Sequence, residues 1–173
     1  MISKLIPSSL SYVGVDFNSN YLSGSWRGHS VDARTAGSIL CLPFRSNSFR
    51  TVLLLQVIEH FPQKLQLPLL TEANRVLTPG GTFIISTPNI GTMWNASKFL
   101  PPNDPRHIHC LRMNEVTDLL AAAGFKRLTR IGYDIFMAYP SPLARLLPYL
   151  LRRSLATMFS ALDKHAVFIA VKP

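Results

Sequence analysis

The chain is short of cysteine, of acidic residues and of long apolar runs, and each shortage removes a class of protein. Two cysteines in 173 residues, Cys41 and Cys110, cannot build a disulfide framework and fit a reducing compartment. Charged residues make up only 16% against 47% apolar, which is core material enough for a folded domain and too little charge for a disordered one. No apolar run approaches the ~18 residues of a membrane span, and the opening residues lack the basic, apolar, then small order of a secretory signal. A soluble, cytoplasmic, single domain is expected. Acids number 9 against 18 Lys and Arg, a formal charge of +9. The excess is even, with eight basic and four acidic residues before position 101, ten and five after it. A nucleic-acid tail concentrates its charge, so this spread argues only weakly for anionic partners. Repeats, low-complexity tracts, a Walker loop, zinc-finger spacing and a Ser-His-Asp order are also missing.

What is present alternates between two periods. Tyr12-Val13-Gly14-Val15 is a short apolar run closed by Asp16 and Asn18, the pattern of a buried strand. Residues 50–58 form a longer apolar run, predicted to be a parallel strand covered on both faces. From Gln63 to Leu77, apolar Leu65, Leu69, Leu70, Ala73, Val76 and Leu77 recur at helical spacing, with Pro68 working against the first turn. Thr78-Pro79-Gly80-Gly81 is expected to stop that helix, and Gly81–Thr87 to form the next strand, halted by Pro88-Asn89. Residues 90–112 are a long connection with three prolines. Asn114 is a candidate cap for a helix reaching Ala123 and closed by Gly124. Strands are expected over 125–136 and His165–Val171, with a basic helical insertion over 140–162. Alternation of this kind predicts an α/β fold with a mostly parallel sheet and helices on both faces.

Asp16 has two readings: a strand-terminal turn former, or a carboxylate placed to accept hydrogen bonds from ribose hydroxyls beyond the sheet's carboxyl edge. The segments that follow it carry a family resemblance. Gly14-Val15-Asp16, Leu42-Pro43-Phe44, Ser48-Phe49, Glu59-His60, Arg75-Val76-Leu77 and Pro79-Gly80-Gly81 stand in the order and spacing of the class I S-adenosylmethionine-dependent methyltransferases. They resemble most the small-molecule branch that includes ubiquinone and menaquinone C-methyltransferases. The resemblance spans roughly residues 10–135 and the last strand, and it implies a Rossmann-like fold with S-adenosylmethionine as cofactor. It further implies that Asp16 holds the ribose, that Phe17 lies near the adenine, and that Ser38, Ile39 and Gln56 surround the adenosine. Glu59, His60 and Phe61 would border the methyl-transfer site, with His60 the best-placed base for an O- or N-nucleophile. The alternative for His60 is a loop histidine at a strand end.

Three departures accompany the match. Ser38 stands where the family carries an acid for the adenine amino group, and Arg50 stands where it carries an aspartate. No glycine-rich loop is found to cradle the methionine end of the cofactor. The first strand and that loop are therefore expected to be missing, with the chain beginning inside the family's first βαβ unit. That reading carries a rival function: a truncated or degenerate methyltransferase-like domain serving as a binding or scaffold partner, open to self-association through exposed sheet edges. Nucleic acid is disfavoured as substrate, because Gln56-Val57-Ile58-Glu59 replaces the Asn/Asp-Pro-Pro-Tyr/Phe signature of amino-methylating relatives. Thr92-Met93-Trp94 and Phe99 would cover a small, apolar substrate or pack on their own core. The 140–162 stretch, rich in Leu, Tyr and Arg, would make at most peripheral membrane contact. His107-Ile108-His109-Cys110 offers metal-ligand types, but no second cluster in the sequence completes a tetrahedral set, and no metal is assigned.

Overall fold

The structure, a computed structural model, describes residues 11–18, 33–89, 106–133 and 165–173. The expectations for 92–99 and for the 140–162 helix lie outside these residues. The chain forms two compact units, Met1–Phe44 and Arg45–Pro173.

In the first unit, β1 (Val13–Asp16) pairs in parallel with β2 (Ala33–Ala36), so that Asp16 stands opposite Ala36. The amide of Gly37 continues the ladder onto the Asp16 carbonyl at 3.1 Å. A Cβ on Gly37 would lie 3.0 Å from Pro43 Cδ, so the bare glycine is what lets the Leu42-Pro43-Phe44 segment close over it.

The second unit is a four-stranded sheet in the order β3 (Phe49–Leu55), β4 (Leu77–Pro88), β6 (His165–Val171), β5 (Lys126–Tyr133). β3 and β4 are parallel, while β6 is antiparallel to both β4 and β5. Three strands therefore share one direction and the last inserts against them. Phe83, Ile85 and Thr87 of β4 face Ala170, Phe168 and Ala166 of β6, and all six are buried on one side of the sheet. Helix α1 (Gln63–Val76) adds Leu69, Leu70, Ala73 and Val76 to the core, and α2 (Met113–Ala122) adds Val116 and Leu120. Phe83 stacks on Phe125 with ring centroids 4.9 Å apart, joining β4 to the start of β5.

Four details differ from the sequence reading. Pro68 is accommodated inside α1 because it and Lys64, whose carbonyl loses a donor, both face solvent. Thr78-Pro79-Gly80-Gly81 does not separate helix from strand: the chain is extended from Leu77 onward, and the four residues form a bulge. Between Phe49↔Leu77 and Thr51↔Thr82 the pairing skips, with Gly80 at φ +76°. The cap of α2 is Arg112 rather than Asn114, because Glu115 reaches back to accept from the Arg112 amide at 2.6 Å. Finally, among the described residues β3 lies at the edge of its sheet and is only partly covered, with Arg50, Thr51 and Leu53 exposed.

Candidate functional site

The carboxyl edges of the parallel strands collect the candidate residues, and each unit contributes its own set. In the first, Asp16 ends β1 and Ser38 lies two residues past β2. Asp16 Oδ1 accepts from the Asn18 amide at 2.9 Å, so the turn-forming role is real. Ser38 Oγ accepts from the Leu40 amide at 3.2 Å, and its carbonyl from Cys41 at 3.0 Å, making a tight turn through Ile39, which is half-buried. Phe17 is 85% exposed, an aromatic ring with no core to fill. A carboxylate, a hydroxyl and a bare aromatic ring at one strand edge suit the ribose and base of a nucleoside.

In the second unit, β3 gives way to Gln56 in the left-handed region, φ +54°, an unusual conformation for a residue with a side chain. Ser86 of β4 fixes it there: the Gln56 amide donates to the Ser86 carbonyl at 3.0 Å, and Gln56 Nε2 to Ser86 Oγ at 3.1 Å. The turn so made leads into a single 3-10 turn, Ile58–His60, that carries Glu59 and His60. The carbonyl of Glu59 accepts from the amides of Ile108 and His109, at 2.9 and 3.1 Å, and so ties residues 106–110 across this edge.

Glu59 is fully buried. One carboxylate oxygen lies 3.5 Å from Thr87 Oγ1, and Oε1 has no protein partner. Burial pushes this carboxyl above the usual carboxylate range, against the opposing pull of its own amide and of His60, His107 and His165. Burial, and then the Glu59 charge, push the Cys110 thiol up as well. His60 Nδ1 sits 3.0 Å from the Arg106 carbonyl oxygen, and its ring is 5.1 Å from that of His107, tilted by 57°.

The sequence missed Gln66, which is fully buried and organises these loops. Its Nε2 donates to the carbonyls of Ile58, Phe61 and His109, at 3.1, 3.2 and 2.9 Å. The signal was available, since Gln66 shares the helical spacing of Leu69, Leu70 and Ala73 and so occupies a core position. Ser86 and Thr87 were also passed over, as ordinary strand residues. The structure brings together Gln56, Glu59, His60 and His107. It treats Asp16, Phe17, Ser38 and Ile39 as a separate group in the first unit.

The fold is similar to the Rossmann-like fold of solved S-adenosylmethionine-dependent methyltransferases. The family model described as a methyltransferase domain matches residues 2–85. A probable S-adenosylmethionine-dependent methyltransferase from Mycolicibacterium smegmatis is 40% identical over 102 residues, which make up 59% of this chain and 38% of that protein. The chain thus spans well under half of this curated relative. Among solved structures, a possible histamine N-methyltransferase from Thermotoga maritima superposes with a TM-score of 0.68 at 17% identity, over 94% of this chain and 73% of that one. A phosphoethanolamine N-methyltransferase from Haemonchus contortus, solved with phosphomonomethylethanolamine and S-adenosylhomocysteine, gives 0.60 at 17%, over 93% and 43%. The solved structures share the fold, and the family model and the curated relative each match part of the chain.

Proposed function

We propose that this chain provides the methyl-transfer site of an S-adenosylmethionine-dependent enzyme acting on a small molecule. The cofactor supplies an activated methyl sulfonium, so the protein's work is to hold an acceptor in line with it and to keep water away. Asp16 accepts from the ribose hydroxyls, Phe17 covers the base, and Ser38 and Ile39 line the nucleoside. The observation that carries the reading is the tautomer of His60. A carbonyl can only accept, so its 3.0 Å contact with Arg106 holds the proton on Nδ1 and leaves a lone pair on Nε2. That lone pair takes the acceptor's proton as the methyl group arrives.

The Glu59-His60 segment and its resemblance to quinone methyltransferases support a small, largely apolar acceptor. The unpaired thiols of Cys41 and Cys110 fit a reducing compartment, and we place the reaction in the cytoplasm. Among the described residues no helix is long and apolar enough to cross a membrane. Calorimetric titration with S-adenosylmethionine and S-adenosylhomocysteine tests the cofactor assignment. Saturable binding of both supports it, and binding of neither overturns it.

A further inference from the structure

Glu59 presents a buried carboxylate oxygen with no partner, and such a group in a folded protein calls for an ion, a proton or water. Two imidazoles stand beside it. One ligand atom each from Glu59, His60 and His107 all lie within 4.8 Å of one another. Donors around a tetrahedral zinc ion lie about 3.3 Å apart, so the three atoms would draw together by up to about 1.5 Å on binding. We infer that Glu59, His60 and His107 form a binding site for a divalent transition metal, zinc by its donor set, with a fourth position left open.

Three features build the site. His60 has the outer contact usual for a ligating histidine: its Nδ1 lies 3.0 Å from the Arg106 carbonyl oxygen, which would leave Nε2 as the ligand atom. His107 is held in place because the residues after it are pinned to the Glu59 carbonyl through the Ile108 and His109 amides. Gln66 fastens the same segment from below through the His109 carbonyl. The two rings lie 5.1 Å apart, tilted by 57° rather than stacked. One carboxylate and two neutral imidazoles leave a single positive charge on a bound divalent ion, which offsets the cost of burying Glu59. The inference goes beyond the methyl-transfer reading. A bound metal would occupy the His60 lone pair and polarise an acceptor oxygen at its open position, so the base role given to His60 holds for the metal-free chain.

The test needs neither cofactor nor acceptor. The chain is stripped with a chelator, dialysed, and titrated with zinc alone against a chromophoric competitor. One equivalent should bind. His107→Ala and Glu59→Gln should each weaken binding by at least about 10–100-fold, while Cys41→Ser, which removes an exposed thiol, should not change it. Cobalt(II) bound to the unaltered chain should show visible d–d bands without a thiolate charge-transfer band, a readout that does not depend on any variant folding. No zinc binding, equal binding by the Glu59 and His107 variants, or a thiolate band would each overturn the site. Titration with S-adenosylmethionine in the presence of chelator separates that outcome from failure of the methyltransferase reading.

Discussion

His60 and Arg106 are 46 positions apart, and the imidazole of the first donates to the backbone carbonyl of the second at 3.0 Å. The bond does two things. It selects the tautomer of His60, and it ties the returning chain to the turn beyond β3.

His60→Ala should lower methyl-transfer turnover by roughly 10²–10⁴, the usual contribution of a positioned general base. Affinity for S-adenosylmethionine should stay within about twofold, because in this reading the ring meets the acceptor and not the nucleoside. Single-turnover transfer and calorimetry on the same preparation measure the two effects. A parallel loss of cofactor binding would show that His60 holds the loop rather than the proton.

Gln66→Leu should destabilise the second unit and loosen residues 106–110 in particular. An amide with two protons serves three carbonyls here; leucine would leave the Phe61 and His109 carbonyls beside an apolar side chain, while the Ile58 carbonyl would keep the Phe61 amide at 3.1 Å. Each buried acceptor left unsatisfied costs about 1–3 kcal/mol, reduced where the loop opens to water. Urea unfolding measures the loss. Hydrogen exchange at the Ile108 and His109 amides should accelerate beyond what global destabilisation explains, and unchanged protection there would refute the role given to Gln66.

Much of this was legible in the sequence because it depends on local period and punctuation. The spacing of Leu69, Leu70, Ala73 and Val76 marks α1 to within one residue of its end, and His165–Val171 is the last strand as read. Glu59 and His60 stood out because they stand in the order and spacing of the motifs that carry the family resemblance. What stayed hidden depends on distant pairing. The bulge at Thr78–Gly81 is set by the register of β3 against β4, and nothing in Pro-Gly-Gly alone separates a stop from a bulge. The missing half of the metal-ligand set was 47 positions upstream of His107, at His60. The hydrogen bonds from Ile108 and His109 to Glu59, from His60 to Arg106 and from Gln66 to His109 bring the two halves together.

The bulge also distinguishes two adjacent glycines. Gly80 has φ +76° and open space where a Cβ would go, so Gly80→Ala meets backbone strain alone. At Gly81 a Cβ would sit 2.7 Å from the Thr78 carbonyl oxygen and 3.2 Å from that of Arg50, both backbone atoms that yield only if the bulge moves. The Gly81 carbonyl also accepts from the Lys172 amide at 3.0 Å, so displacement would reach the end of β6. Gly80→Ala should cost about 1 kcal/mol and Gly81→Ala about 1–3 kcal/mol. Chemical denaturation of both variants checks the ranking, and a reversed order would show that the bulge is more compliant than its contacts indicate.

Asp16 carries two roles that a pair of substitutions can separate. Its Oδ1 accepts from the Asn18 amide at 2.9 Å, which closes the turn after β1, and its negative charge is what a ribose would use. Asparagine keeps an oxygen for the turn and removes the charge, whereas alanine removes both. Asp16→Asn should therefore unfold like the unaltered chain but bind S-adenosylmethionine more weakly by about 1.5–3 kcal/mol, the range of hydrogen bonds to a charged group. That is roughly a 10- to 150-fold rise in Kd. Asp16→Ala should show the same loss of affinity together with about 0.5–1.5 kcal/mol less stability, the net worth of one intramolecular hydrogen bond. Thermal unfolding and calorimetry on the two variants give four numbers, and the pattern among them decides. If Asp16→Asn binds the cofactor as tightly as the unaltered chain, the carboxylate is only a turn former, and the ribose must be held by another residue.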